Sequence, residues 1–205
     1  MDEILFNLIA SWPGLVARPD RALIEDSLVL LDFLPHGPLR VIDVGSGGGL
    51  PGLPLRLARA DLALTLLEAN QRKAAFLVQA AAKLGLSGVE VVARRAEDAG
   101  HDPRHRETYD VALARALAAM PVLVELCLPF VAVGGRLLAM KTDAAAEAAS
   151  AGAAIARLGG ELVEIGAAAS AARSLGQVIV VEKVRPTPPQ FPRRAGVPSR
   201  RPLAG

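Results

Sequence analysis

The sequence has little cysteine, few aromatic residues and no long apolar run. Its single cysteine, Cys127, excludes a disulfide within the chain and a cysteine-based zinc site, and its apolar surroundings predict a core residue. Aromatic residues make up only 3% of the chain, which argues against a base-stacking surface. No uninterrupted apolar run reaches about 18 residues, and the N-terminus carries acids where a secretion signal needs bases. We therefore expect a cytoplasmic protein with no membrane segment and no metal.

The composition favours one globular domain with an uneven charge distribution. Hydrophobic residues make up 52% of the 205 residues, which is enough for a full-sized core. The net charge is only +2, but residues 184–205 contain five arginines and no acids, so the rest of the chain is mildly acidic. This asymmetry indicates a polyanionic partner, although a solvated tail that binds nothing is the alternative.

Strand and helix patterns alternate after residue 38. Strands are predicted at 39–44, 62–68, 89–94, 109–115, 134–141, 161–166 and 176–184, and helices at 20–34, 50–59, 71–84, 121–130 and 144–158. This alternation predicts an α/β fold whose mostly parallel sheet has helices on both faces. No helix fits between the last two strands, which are therefore expected to be antiparallel. We divide the chain into an N-terminal helical segment (1–38), a main domain (39–184) and a basic tail (185–205).

A glycine cluster follows the first strand, in the stretch VIDVGSGGGLPGLPL. Counted from Gly47, it imitates a dinucleotide-binding fingerprint, but the strand ends at Val44 and the next residue is already glycine. Counted from Asp43, it spells D-x-G-x-G-x-G and resembles motif I of the S-adenosylmethionine-dependent methyltransferases. Gly45, Gly47 and Gly49 would let the loop approach the methionine part of that cofactor. Asp43 would hold the loop N–H groups or reach the cofactor amino group through water.

Acidic residues at the ends of the next two strands extend this candidate site. Glu68 closes the second strand, where a carboxylate can accept both ribose hydroxyls, although a surface residue is the alternative. In the turn RAED, Glu97 or Asp98 would take the adenine amino group and Ala96 would pack on the ring. The alternative for these two acids is an ion pair with the neighbouring arginines.

Motifs that the chain lacks argue against two classes of methylation reaction. Methylation of an exocyclic amine commonly uses [D/N]-P-P-[Y/F] after the fourth strand, where this chain reads ARALA (114–118). Methylation at pyrimidine carbon 5 needs a cysteine nucleophile, and Cys127 is predicted to be buried. We locate no general base, and the acceptors that remain include a ring nitrogen with a free lone pair, such as guanine N7. A small-molecule methyltransferase and a non-enzymatic cofactor-binding ribosome-assembly factor stay as alternatives.

The motifs together resemble one family. VIDVGSGGGLPGLPL, LLEANQRKAAFL, RRAED, YDVALARALA, LLAMK and FPRRAGVPSRRPL are similar to the bacterial glucose-inhibited division protein B family over about residues 22–203. The resemblance implies a Rossmann-like class I methyltransferase with a seven-stranded sheet and S-adenosylmethionine as cofactor. It also implies guanine N7 in the 530 loop of 16S rRNA as the target, on RNA or a small ribosomal subunit particle. No catalytic side chain is assigned, and we expect a monomer.

The resemblance also assigns residues by position. Gly45, Leu50, Ala96, Glu97 and Arg115 match the family's cofactor-binding positions. Arg115 ends the fourth strand, where it would bind the cofactor carboxylate or an RNA phosphate; a structural ion pair is the alternative. Further RNA contacts are expected from Lys141, Arg193, Arg194, Arg200 and Arg201. For Lys141, a solvated surface position is the alternative. The N-terminal stretch WPGLVARPD departs from the family, which leaves RNA contacts by that segment open.

Overall fold

The computed structural model describes residues 2–15 and 18–203. Met1, residues 16–17 and residues 204–205, which belong to the predicted N-terminal segment and tail, lie outside the described residues. Seven strands form one sheet in the order β3-β2-β1-β4-β5-β7-β6. They are β1 (Leu39–Val44), β2 (Leu62–Leu67), β3 (Val89–Val92), β4 (Tyr109–Arg115), β5 (Val131–Lys141), β6 (Gly160–Ala167) and β7 (Gln177–Lys183).

The first five strands are parallel, and β7 is antiparallel to both of its neighbours, β5 and β6. Because no helix separates β6 from β7, the chain returns directly and the two strands pair as a hairpin. The predicted mostly parallel sheet with an antiparallel last strand is confirmed. The strand order reverses between β1 and β4, so the loops after these two strands diverge and leave a crevice at their carboxyl ends.

Helices cover both faces of the sheet. They are α1 (Asp2–Ser11), α2 (Ala22–Leu28), α3 (Gly52–Ala58), α4 (Gln71–Lys83), α5 (Ala96–Ala99), α6 (Met120–Cys127), α7 (Ala144–Arg157) and α8 (Val197–Arg200). In β1, Val41 packs with α1 to α4, whereas Ile42 and Val44 pack with α5 to α7. This alternation follows the two-residue period of a strand. Cys127 is fully buried on the second face, as predicted. None of the helices in the described ranges has the length and apolar character needed to cross a bilayer.

One strand begins earlier than predicted. β5 starts at Val131, whereas the sequence predicts a glycine turn leading into a strand at residue 134. Gly134 has a φ of +88°, and a Cβ on Gly135 would lie 2.6 Å from the Asp110 carbonyl oxygen. The pairing register shifts here, between Tyr109 and Val111 of β4. The glycine pair is therefore an irregularity inside the strand, where a close backbone approach requires glycine, and not a turn before it.

The basic tail is packed against the domain. Phe191 and Leu203 are buried in the core formed with α5, α6 and α7. Arg106 donates hydrogen bonds to the carbonyl oxygens of Thr187 (2.8 Å) and Phe191 (2.7 Å). The alternative of a wholly solvated tail is therefore wrong for the described residues 185–203.

Candidate active site

The glycine loop after β1 is tied to the end of β2. The backbone N–H groups of Gly45 and Ser46 donate to the Leu67 carbonyl oxygen (2.8 and 3.1 Å). The Ser46 hydroxyl donates to the Asp43 carbonyl oxygen (2.7 Å). Gly45, Gly47 and Gly49 have φ values of +74°, +54° and +81°, which other residues rarely adopt. The loop therefore needs glycine at the three positions that the sequence singles out.

Asp43 supports this loop from inside the protein. Its side chain is buried, and its Oδ2 accepts a hydrogen bond from the Gly52 N–H (3.0 Å). A Cβ at position 52 would lie 2.9 Å from the same oxygen, so this contact requires glycine. The sequence predicts two roles for Asp43. The structure shows the first of them, because the Asp43 carboxylate accepts a hydrogen bond from an N–H group of the loop. The water-mediated contact of Asp43 with the cofactor amino group stays a prediction.

Burial raises the pKa of Asp43 from 3.8 to about 7, although the Gly52 N–H and Arg115 act in the opposite direction. The folded state therefore binds more protons than the unfolded state between these two values, and stability falls as pH rises toward about 7. We expect wild-type protein to lose about 2–3 kcal/mol more stability between pH 5 and pH 8 than Asp43→Asn. Urea denaturation of both proteins at the two pH values measures the difference; equal losses would contradict the assignment.

Glu68 connects the glycine loop to α4. Its Oε2 accepts a hydrogen bond from the Gly47 N–H (2.9 Å), and its Oε1 accepts one from the Asn70 N–H (2.7 Å). The Asn70 side chain in turn caps α4 by accepting from two backbone N–H groups. The Glu68 carboxylate is largely buried, yet about four lone-pair positions leave it capacity for further donors. The alternative of a surface residue is therefore wrong.

Two adjoining cavities lie at this loop. The glycine-loop cavity, about 370 Å³, is lined by residues that include Gly45, Gly47, Leu50, Lys73 and Arg115. Leu15 and Leu23 of the N-terminal segment also line it. A Cβ on Gly47 would lie 3.8 Å from the Gly45 carbonyl oxygen. Apart from its chain neighbours, no other heavy atom of the described residues would lie within 4 Å of it. The space beside Gly47 is therefore open.

The Glu68–Glu97 cavity, about 280 Å³, lies beyond the same glycine loop and is lined by both carboxylates together with Ala96, Leu117 and Ser199. The Glu97 Oε1 accepts a hydrogen bond from the Gly196 N–H of the tail (2.9 Å). The sequence also allows an ion pair between Glu97 or Asp98 and a neighbouring arginine. Arg94 instead pairs through its guanidinium with Asp102 (2.8 Å). The tail thus forms one wall of this cavity.

A third cavity adjoins the first. The Asp26–Glu147 cavity, about 290 Å³, is lined by these two acids and by Arg115, Lys141 and Arg173, among others. Ala116 lines all three cavities and has a φ of +51°. A left-handed conformation at an alanine is uncommon and is typical of functional sites. The loop after β4 is therefore the junction of the three cavities.

Arg115 and Lys141 have structural partners. The Arg115 Nη1 donates to the Leu23 carbonyl oxygen (2.9 Å) and the Ser27 hydroxyl (3.3 Å), and its Nη2 lies 3.5 Å from Asp26 Oδ2. Burial lowers the pKa of Arg115, and Asp26 opposes this shift. The ion-pair alternative for Arg115 is thus present, and its ligand role stays a prediction. Lys141 is only 9% exposed and pairs with Glu147 (2.7 Å), so the solvated-surface alternative is wrong for it.

The tail arginines fall into two groups. Arg193 binds the fully buried Glu125 carboxylate through its Nε (2.8 Å) and Nη2 (2.6 Å). This guanidinium is engaged in a structural ion pair, and its role as a phosphate ligand stays a prediction. Arg194, Arg200 and Arg201 are exposed, and their RNA contacts stay predictions. Sequence reasoning missed the acids that organise the site, since nothing in the spacing of Asp26, Glu125 and Glu147 signals that they pair with Arg173, Arg193 and Lys141.

The first two cavities suit a nucleoside joined to an amino acid. Carboxylates that can accept from ribose hydroxyls and an exocyclic amine lie beside small apolar side chains in one cavity, and bare glycine backbone lines the other. Within the described residues, no cluster of three or more His, Cys, Asp or Glu side chains is placed to hold a metal ion.

Comparisons with known proteins agree with this geometry. The family model described as rRNA small subunit methyltransferase G matches residues 19–175. A protein named ribosomal RNA small subunit methyltransferase G from Moorella thermoacetica is 44% identical over 186 residues, which are 89% of this chain and 78% of that protein. The protein of the same name from Roseiflexus sp. is 46% identical over 202 residues, 98% of this chain and 85% of its own length.

Solved structures of other methyltransferases share the fold. A SAM-dependent methyltransferase from Aquifex aeolicus has a TM-score of 0.63 at 14% identity and covers 87% of this chain and 98% of its own. The ribosomal protein L11 methylase from Lactobacillus delbrueckii subsp. bulgaricus has a TM-score of 0.60 at 15% identity, covering 84% and 83%. These likenesses concern the fold alone. From the matched family model and the two relatives, the chain belongs to the rRNA small subunit methyltransferase G (GidB) family.

Proposed function

We propose that this protein transfers a methyl group from S-adenosylmethionine to guanine N7 in the 530 loop of 16S rRNA, within the bacterial cytoplasm. Family membership supports methylation of small-subunit rRNA. The observation that carries the N7 assignment is the end of β4 with the loop that follows it, which read ARALA (114–118) and offer no acid, amide or aromatic residue at the junction of the three cavities. A ring nitrogen with a free lone pair needs no such group, because it is not deprotonated before transfer.

The cofactor would occupy the two cavities on either side of Gly45. When bound, S-adenosylmethionine supplies an electrophilic methyl group on a sulfonium that leaves as a neutral thioether. Gly45, Gly47 and Leu50 would contact its methionine part, with Gly49 and Asp43 holding the loop in shape. Glu68 would accept the ribose hydroxyls. Ala96 and Glu97 would flank the adenine, and Arg115 would lie beside the junction of the two cavities.

The protein's contribution to such a transfer is positioning, because no side chain has to move a proton. Glu68 and Asp43 fix the glycine loop through the N–H groups of Gly47 and Gly52. Arg115 connects the end of β4 to α2 through hydrogen bonds and an ion pair, and it lines both the glycine-loop cavity and the Asp26–Glu147 cavity. Alignment of the acceptor with the methyl group is the main source of rate enhancement that this arrangement offers.

Exposed arginines of the tail would bind the RNA backbone. Ser199 lines the Glu68–Glu97 cavity, and α8 therefore brings Arg200 and Arg201 close to its rim. Replacing Arg194, Arg200 and Arg201 by Ala should raise KM for ribosomal substrate about tenfold or more and reduce the salt dependence of binding. The cofactor Kd should not change. As a matched control, Arg136→Ala removes an arginine from the middle of β5. An equal KM effect there would contradict the tail interface.

The substrate class is tested with labelled methyl donor. We expect label in the rRNA of small ribosomal subunits that lack the modification, and none in large subunits. Label in neither would reject the proposed activity. Cofactor binding without transfer to any substrate would favour a non-enzymatic assembly factor, and transfer to small molecules alone would favour a small-molecule methyltransferase.

A further inference from the structure

We propose that the Asp26–Glu147 cavity receives the acceptor guanine, and that Glu147 recognises the edge of the base that carries N1–H and the exocyclic amino group. This inference rests on the proposed function, since it names where the acceptor of that reaction lies. It assigns a specificity role to a residue that the sequence patterns do not single out.

The position of the cavity suits an acceptor. It shares Arg115 and Ala116 with the glycine-loop cavity, and it lies where β4 ends at Arg115 and β5 ends at Lys141. Direct transfer requires the acceptor atom and the methyl group to occupy contiguous spaces. Its volume of about 290 Å³ is at the lower end of the range for pockets that hold small ligands.

Glu147 is oriented by its neighbours and keeps one oxygen available. Its Oε2 accepts hydrogen bonds from the Lys141 ammonium (2.7 Å) and the Met120 N–H (2.9 Å). No donor to its Oε1 is present among the described residues, and the side chain is 31% exposed at the cavity. Guanine alone among the four RNA bases presents N1–H beside an exocyclic amino group, so a fixed carboxylate here would select it.

A second polar group of the cavity also needs a partner. Arg173 donates from its Nε to Asp26 (3.2 Å) and from its Nη1 to two backbone carbonyl oxygens. Its buried Nη2 has no acceptor in the described part of the chain. Buried donors of this kind are rare in folded proteins and call for a partner. Because this Nη2 is inaccessible to solvent, the Arg173 side chain would have to shift before the O6 atom of guanine, an acceptor next to N1, could reach it.

The carboxylate would assist the transfer as well as select the base. The N7 lone pair forms a bond to the methyl carbon while the carbon–sulfur bond breaks, and its electron pair stays on sulfur. N7 carries no proton, so none is released, and the positive charge passes to the purine ring. N1–H and the amino group become stronger donors as this charge develops, and their hydrogen bonds to Glu147 therefore strengthen in the transition state.

Glu147→Gln separates this role from a structural one. The amide oxygen would stay with Lys141 and the Met120 N–H, because both are donors, so the amide NH₂ would face the cavity. That NH₂ is itself a donor and does not pair with the guanine amino group. The variant keeps the local contacts and should keep the cofactor Kd of wild-type protein, while it loses the contact to the base.

The test compares small subunits assembled on rRNA with either guanosine or inosine, which lacks the amino group, at the target position. For wild-type enzyme, inosine should lower kcat/KM about tenfold or more, the scale of a hydrogen bond to a charged group. On guanosine, Glu147→Gln should lose at least this factor, because its contact to N1–H is lost as well. The variant should then show almost no further difference between guanosine and inosine. Glu161→Gln, which replaces an exposed carboxylate of β6, should behave as wild type.

Two results would overturn the proposal. One is an inosine penalty that is as large in Glu147→Gln as in wild type, since the amino group would then be read elsewhere. The other is equal rates of wild-type enzyme on both substrates, which decides the matter even if the variant does not fold. A wild-type enzyme that transfers no methyl group to guanosine-containing subunits would instead reject the proposed function.

Discussion

Gly47→Val should abolish cofactor binding, with a rise in the Kd for S-adenosylmethionine of at least about 100-fold, or about 2.7 kcal/mol. Two effects act together. A Cβ at position 47 projects into the open part of the glycine-loop cavity, where the methionine part of the cofactor would lie. The φ of +54° also disfavours a β-branched residue, at a cost on the order of 1–3 kcal/mol.

Gly85→Val is the matched control for this substitution. Gly85 has a φ of +63°, and apart from its chain neighbours no heavy atom of the described residues lies within 4 Å of the position that a Cβ would occupy there. It follows the carboxyl end of α4, away from the cavities. Both variants should lose comparable stability in urea denaturation, and only Gly47→Val should lose cofactor binding in calorimetry. Undiminished affinity in Gly47→Val, or an equal loss in both, would mean that the glycine loop is not the cofactor site.

Arg193→Ala should destabilise the protein by about 3 kcal/mol, because it leaves the Glu125 carboxylate buried without its cation. Glu125 is fully buried, and two guanidinium hydrogen bonds reach it. The backbone N–H of residue 193 also donates to Glu125 (2.9 Å) and would remain, which places the effect at the lower end of the usual range of about 3–5 kcal/mol. Urea denaturation measures the loss directly.

Arg194→Ala provides the comparison, since it removes the adjacent and exposed arginine. Its stability should stay within about 0.5 kcal/mol of wild type, as for most surface substitutions. Adding Glu125→Met to Arg193→Ala removes the stranded carboxylate and should recover most of the lost stability. If Arg193→Ala is no more destabilising than Arg194→Ala, then Arg193 does not anchor the tail, and a phosphate contact becomes the better explanation.

Much of the fold follows from local patterns. The strand at 39–44 matches its prediction, because four of its six residues are large and apolar and it lies between Pro38 and Gly45. The predicted helix at 50–59 instead begins at Gly52, which packs against Asp43, and two residues of the glycine loop precede it. The glycines at 134–135 suggest a turn by composition, yet they lie inside β5, because their role is close packing against β4 and such a contact is not encoded locally.

The candidate site, like the fold, can be predicted from the sequence only in part. Gly45, Gly47 and Glu68 can be identified from the sequence because the glycine spacing and the strand-end acid are local signals. The pairs Glu125–Arg193 and Asp26–Arg173 cannot, since each joins residues far apart in the chain and depends on the docking of the tail or of α2. The charge of the tail is visible in the sequence, but which of its arginines face solvent is decided by these buried partners.

The position of the methyl group on the base tests the central claim most directly. Small ribosomal subunits lacking the modification would be treated with enzyme and S-adenosylmethionine, and their rRNA would then be reduced with borohydride and cleaved with aniline, a treatment specific for 7-methylguanosine. We expect one new cleavage, in the 530 loop of 16S rRNA, that depends on both enzyme and donor and is absent with Gly47→Val. Incorporation of label without cleavage, with the methyl group on an exocyclic amine or another ring atom, would contradict the account.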